Sequence, residues 1–169
     1  MIQIMKANLN HVEGIVKVCS DANWATYTGI RSETYIKRII KEFYNIARIE
    51  KEVTETSRDW GGYIVAVEDG QVIGAIGGGM ISDTVSEVYV LYIDPNRRNE
   101  GIGTLLLDAL TKQQKEQYQA AEQWVSVAKG NDKGIPFYEA KGFVFKHEQS
   151  EYGNAENENY ISLRYYRKI

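Results

Sequence analysis

RRNEGIGTLLL (97–107) joins a basic, glycine-punctuated turn to an apolar helix, and the segments on either side decide the fold around it. Upstream, VSEVYVLYI (85–93) is β-branched and aromatic and stops at Asp94-Pro95-Asn96, the pattern of a strand with both faces largely covered. Downstream, Ile102, Leu105, Leu106, Ala109 and Leu110 recur at helical spacing, which predicts an amphipathic helix ending near Tyr118. WVSVA (124–128) then reads as a strand beside 85–93, because strand, helix, strand implies a parallel crossover.

A loop that leaves a strand and opens a helix favours an anion. The first helical amides have no backbone partners, and the helix dipole adds positive potential there. Gly101 and Gly103 let the backbone turn and approach a ligand, and Arg98 supplies charge at the rim. A dinucleotide fingerprint needs a third glycine, but Gly103 is followed by Thr104, Leu105 and Leu106. A P-loop needs a lysine after its glycine, and Gly103-Thr104 lacks it.

The rest of the chain alternates strands and helices. IQIM (2–5) reads as a short strand. Residues 9–20 follow as a helix, with Leu9, Val12, Ile15, Val16 and Cys19 on one stripe. A single longer helix is expected over 32–53, opened by Ser32 and striped by Ile36, Ile39, Ile40, Phe43 and Ala47. YIVAV (63–67) and QVIGAIGGGMI (71–81) flank Asp69-Gly70, a hairpin signal. A short helix from about Pro136 to Lys141 stops at Gly142. FVFKHE and NYISLRYY form a final hairpin around the loop 149–159.

With 169 residues, 43% of them hydrophobic, the chain suits one domain with a real core and no need of staples. Its net charge of −3 argues against non-specific nucleic-acid binding, which needs a basic excess. No window is apolar enough for a signal peptide or a membrane span, so the expected location is the cytoplasm and no membrane partner is expected. Cys19 is the only cysteine, which excludes an internal disulfide. His11 and His147 have no partners at ligand spacing, so no metal site is expected.

YIDPNRRNEGIGTLLL resembles the acyl-CoA motif of the GNAT superfamily of N-acetyltransferases, with Arg98, Gly101 and Gly103 in its Arg/Gln, Gly and Gly/Ala positions. NDKGIPFYEAKGF is similar to the family's second signature, with Asn131, Phe137, Tyr138, Gly142 and Phe143 in place. Gly134, where alanine is common, and the following Pro136 depart from it and bear on the helix start. The resemblance covers essentially the whole chain and implies a single domain over 1–169. That domain would be an α/β (α+β) GNAT-like acyl-CoA N-acyltransferase fold, a mixed sheet of about six to seven strands flanked by about four helices. IKEFYNIARIEKEV also has a weak likeness to the second helix of polyamine acetyltransferases.

The same resemblance implies acetyl-CoA as cosubstrate, no metal, and an amine as acceptor. The pyrophosphate would lie on Arg98, Asn99, Gly101, Ile102, Gly103 and Thr104, and the pantetheine arm along Leu91, Tyr92 and Ile93, with Asn131 beside it. Tyr138 stands where the family protonates the leaving sulfur, and a phenol is protonated at neutral pH. By alternation, Glu87 is expected to share a face with Tyr89, Leu91 and Ile93, and it is the candidate general base, directly or through water. Trp24, Tyr27 and Tyr35 fall around the connection between the first two helices and, with Tyr89, are candidates for the acceptor pocket. Glu148, Glu151, Glu156 and Glu158 are placed to attract a cationic acceptor.

The expected activity is direct acetyl transfer to a polyamine-like or other small amine, or to a peptide amine. Two other classes use such a loop: a CoA-binding sensor without turnover, and an ATP-binding protein. The terminal strand NYISLRYY is also an edge on which a second copy would build a homodimer.

Overall fold

The computed structural model describes residues 1–169. In chain order it contains β1 (Gln3–Lys6), α1 (Val12–Tyr27), α2 (Glu33–Phe43), α3 (Ile46–Thr54), β2 (Tyr63–Glu68), β3 (Gln71–Met80), β4 (Val85–Ile93), α4 (Ile102–Tyr118), β5 (Glu122–Ala128), α5 (Gly134–Ala140), β6 (Val144–Ser150) and β7 (Ile161–Lys168). The strands form one mixed sheet in the order β1-β2-β3-β4-β5-β7-β6, and only the β4–β5 pair is parallel. Asp69 and Gly70 both take positive φ, 51° and 78°, in the turn between β2 and β3, as a two-residue hairpin of this handedness requires.

Apolar residues on opposite faces of the sheet build two cores. Ile15, Cys19, Ile36, Ile49, Tyr63 and Val65 pack beneath α1, α2 and α3. Ile102, Leu106, Leu107, Leu110, Val125 and Val127 pack beneath α4. Leu106, Leu107 and Leu110 are each 0% exposed, and burial of such a side chain is worth about 2 kcal/mol. The whole strand-loop-helix unit is thereby pressed onto the sheet.

Three differences from the sequence expectation bear most on the site and its edges. The single helix expected over 32–53 is two. Asn45 breaks it, its side chain accepting from the Arg48 amide to cap α3 while donating to the carbonyls of Lys41 and Glu42 at the end of α2. An asparagine offers the backbone this alternative to continuing a helix. Five helices result, not four, and α1 runs on to Tyr27, so Trp24 and Tyr27 lie in its last turns.

The second difference is the position of the last strand. β7 is inserted between β5 and β6 and is no edge, so NYISLRYY cannot receive a second copy. The free edge on that side is β6.

The third is a bulge. Gly77 pairs with Val90 but Gly78 with Val88, which leaves Tyr89 unpaired with β3. Gly78 permits this contact, since a Cβ there would lie 2.1 Å from the Glu87 carbonyl. The extra residue reverses the alternation of side chains along β4. Val88 therefore shares a face with Leu91 and Ile93, while Val90 and Tyr92 turn to the α1 side.

Candidate active site

β4 and β5 pair only from Val85–Glu122 to Val88–Val125, and then part. Beyond that point β5 pairs with β7 alone and β4 with β3 alone, so each strand turns an unpaired backbone edge toward the other. The fork is a cleft of about 730 Å³, lined on one side by Val88–Ile93 and on the other by Val125–Ala128.

At its far end lies the loop 97–104. No amide from Arg98 to Thr104 donates within the chain. Gly101 begins the helix at φ 80°, a left-handed conformation that is strained for any residue with a Cβ. The sequence had suggested a shared role for the two glycines; the structure separates them. Gly103 is where α4 meets α5, since a Cβ there would lie 3.2 Å and 3.3 Å from the Phe137 ring. Three cations border this end. Arg97 is paired with Glu68 and Glu100, whereas Arg98 and Lys133 line the cleft without a side-chain partner. Asn131 Oδ1 accepts from the Gly134 amide at 2.9 Å, starting α5 earlier than Pro136 and leaving the amide group of Asn131 at the cleft wall.

Tyr138 projects from α5 into the wall, 8% exposed, with its ring held edge-on between Phe137 and Phe143. Burial pushes its phenol up, so it keeps its proton at neutral pH. Tyr27 and Tyr92 also line the cleft, and their hydroxyls share a hydrogen bond of 3.2 Å. Burial raises both of these phenols as well.

Because of the bulge, Glu87 does not share a face with Leu91 and Ile93, the face on which alternation had put it. It turns to the opposite one and is bound through both oxygens by Arg164 of β7, at 2.8 Å and 2.9 Å. Tyr89, the bulged residue, is 47% exposed and lines the cleft. Every residue expected to hold the cofactor lines the cleft, as do Tyr138, Tyr27 and Tyr89; Glu87 and Trp24 do not. Trp24 is on the outer surface of α1, and Tyr35 is buried in the core against Tyr160.

The acidic rim also reads differently once folded. Glu151 is paired with the buried Arg31, Glu158 with Arg38, and Glu148 with Lys129. Arg38 holds the Glu158 carboxyl below the usual range. Glu156 alone of the four has no ion-pair partner. Two arginines thus pin the loop between β6 and β7 against α2, and Tyr160 reinforces it by accepting from the Ser32 amide at 2.8 Å. Sequence reasoning missed Ser126, Lys133 and the Arg164 partner of Glu87. Lys133 sits inside the NDKG signature, so its position carried a signal; nothing in the sequence pairs residues 87 and 164.

No cluster of His, Cys, Asp and Glu can hold a metal, and no helix is long and apolar enough to cross a membrane. His11 accepts from the Asn8 amide and closes a helical turn. His147 lies exposed beside Trp124.

A long donor with an anionic head suits a forked sheet that ends on unpaired amides and free cations, and proteins that take such a donor are the acyl-CoA-dependent acyltransferases. The model of the Acetyltransferase (GNAT) family matches residues 21–143, and the chain belongs to that family. It is an acetyl-CoA-dependent N-acetyltransferase. It is similar to the spermidine N(1)-acetyltransferase of Thermoplasma acidophilum, 29% identical over 144 residues that span 84% of this chain and 88% of that one. The crystal structure of PaiA N-acetyltransferase from Thermoplasma acidophilum in complex with coenzyme A superposes with a TM-score of 0.82 at 26% identity, covering 100% of this chain and 99% of that one. Ard1 from Thermoplasma volcanium, at 20% identity and a TM-score of 0.72 over 99% and 97% of the two chains, shares the fold.

Proposed function

We propose that this enzyme acetylates a primary amine of a small, polyamine-like molecule. The observation that carries the acetyl-transfer part of this reading is the fork between β4 and β5, with unpartnered amides at its far end and the protonated Tyr138 on its wall. The similarity to a spermidine N(1)-acetyltransferase supports the class of acceptor. A peptide amine is the second acceptor class to be assayed.

Acetyl-CoA supplies an acetyl group activated as a thioester. In our reading the amides of Arg98, Asn99, Gly101, Ile102, Gly103 and Thr104, with the Arg98 guanidinium, hold its pyrophosphate, and Lys133 adds a second cation. The free backbone edge at Leu91, Tyr92 and Ile93 binds the pantetheine arm as a strand edge binds a peptide, and Asn131 donates from the other wall. Tyr138 holds a proton on its hydroxyl for the departing sulfur. Glu87, which does not line the cleft, accepts through a water the proton that the amine must lose. Tyr27 and Tyr89 border the acceptor.

The test is thiol release from acetyl-CoA against polyamines, aminoglycosides, amino acids and short peptides, beside thermal shifts with CoA and ATP. Amine-dependent release with spermidine-like acceptors and stabilisation by CoA over ATP are expected. Stabilisation by CoA with no amine-dependent release would favour a sensor without turnover.

A further inference from the structure

Where β4 and β5 stop pairing, one side chain from β7 touches both. Arg164 Nη1 donates to Glu87 Oε2 and to Ser126 Oγ, each at 2.8 Å, and Nη2 donates to Glu87 Oε1 at 2.9 Å. Glu87 lies one residue before the last parallel pair and Ser126 one residue beyond it, so the guanidinium bridges the opening of the fork. Its plane is supported by the Trp124 ring, 5.1 Å away. Trp124 is stacked on Tyr166 at 5.2 Å and donates from its indole to Glu122. The side chains of Arg164 and Glu87 are only 12% and 14% exposed.

This arrangement does more than neutralise a charge. A glutamate side chain has three rotatable bonds, and a two-point contact with a planar guanidinium removes most of that freedom. Each carboxylate oxygen gives one lone pair to Arg164 and keeps another for an incoming donor. A proton acceptor works best held in one orientation, and the two-point contact with Arg164 provides that hold.

We infer that Arg164 is a positioning residue for Glu87: it fixes the carboxylate where the fork opens and, through Ser126, ties it to the opposite wall of the cleft. The inference rests on the reading of Glu87 as the base.

A double-mutant cycle separates the two ideas. The kcat of wild type, Glu87→Gln, Arg164→Ala and the double variant is measured at saturating acetyl-CoA with the most active amine of the panel, together with CoA affinity by calorimetry. Loss of a general base is expected to lower kcat about 100-fold in Glu87→Gln. Arg164→Ala alone should lower kcat roughly 10-fold, but by less than about 2-fold once Glu87 is already Gln, because the two side chains act as one unit. CoA affinity should stay within about 2-fold throughout, and Arg164→Lys, which keeps the charge but not the fork, should fall between wild type and Arg164→Ala.

A merely structural arginine would lower kcat by the same factor in both backgrounds, and that result overturns the inference while leaving Glu87 as base. Wild-type turnover in Glu87→Gln removes the base reading and the inference with it. If Arg164→Ala does not fold, Arg164→Lys is read in the same cycle: an equal effect with and without Glu87 refutes, and a vanishing effect without Glu87 supports.

Discussion

The two glycines of the loop 97–104 are expected to resist alanine for different reasons, because only one of them lies against another side chain. A methyl at position 103 would stand 3.2 Å and 3.3 Å from Phe137, a few tenths of an ångström inside the 3.5–4.0 Å of ordinary carbon contacts. Overpacking of this kind costs about 1–3 kcal/mol, set against up to about 1 kcal/mol gained when a helical glycine becomes alanine. Gly103→Ala should therefore be neutral to destabilising by about 2 kcal/mol, a fall in Tm of up to roughly 4 to 8 °C for a chain of this size. Gly101→Ala meets no neighbouring atom, but its φ of 80° makes any L-residue there strained, at a cost of about 1–2 kcal/mol. Thermal unfolding of both variants, each also built on Phe137→Ala, distinguishes the causes. With the ring removed, Gly103→Ala should become neutral or stabilising, whereas the penalty of Gly101→Ala should persist. Equal penalties for Gly103→Ala with and without Phe137 would refute the contact as the reason for that glycine.

Tyr138→Phe should lower kcat by about 100-fold or more, the usual scale for a general acid, while CoA affinity measured by calorimetry stays unchanged; undiminished turnover would remove Tyr138 as the proton donor. Burial raises the phenols of Tyr27, Tyr44, Tyr63, Tyr92 and Tyr138. The stability carried by their neutral forms is thus complete below the unfolded value of about 10 and lost as pH rises past it. Tm should be flat with respect to these groups from pH 7 to about 9 and fall steeply above about 10, and an even Tm to pH 11 would contradict it. Glu151→Gln leaves Arg31, whose side chain is 4% exposed, without its carboxylate, at a cost of about 3 kcal/mol. Glu156→Gln at an exposed, unpaired site should leave Tm within about 1 °C, and equal effects of the two would show that the strap formed by Arg31 adds nothing.

Most of the fold was legible in local pattern, because local pattern is what strands, helices and turns obey. The run 85–93, the glycine loop and the apolar stripe from Ile102 identify a strand, a turn and a helix by their own residues, and the parallel return at 124–128 follows from the strand, helix, strand order. The loop residues 98–104 were legible for the same reason: unpaired amides belong to any helix start. The break at Asn45 was less visible, since its apolar stripe continues through it and only the cap announces the interruption.

What the sequence by itself determined is the loop 97–104 at the end of the cleft, where contiguous residues supply both the backbone geometry and the charge. Only the tertiary structure decided the surroundings of Glu87 and of the loop between β6 and β7. One extra residue at Tyr89 turned Glu87 to the other face of the sheet, and β7, entering between β5 and β6, brought Arg164 to it from far along the chain. The same insertion withdrew the last strand from the edge, and the packing of the β6–β7 loop on α2 consumed the charges of Glu151 and Glu158. Periodicity states which residues alternate within a strand. It does not record a bulge, which depends on the neighbouring strand, nor an ion pair between residues that only strand order makes adjacent.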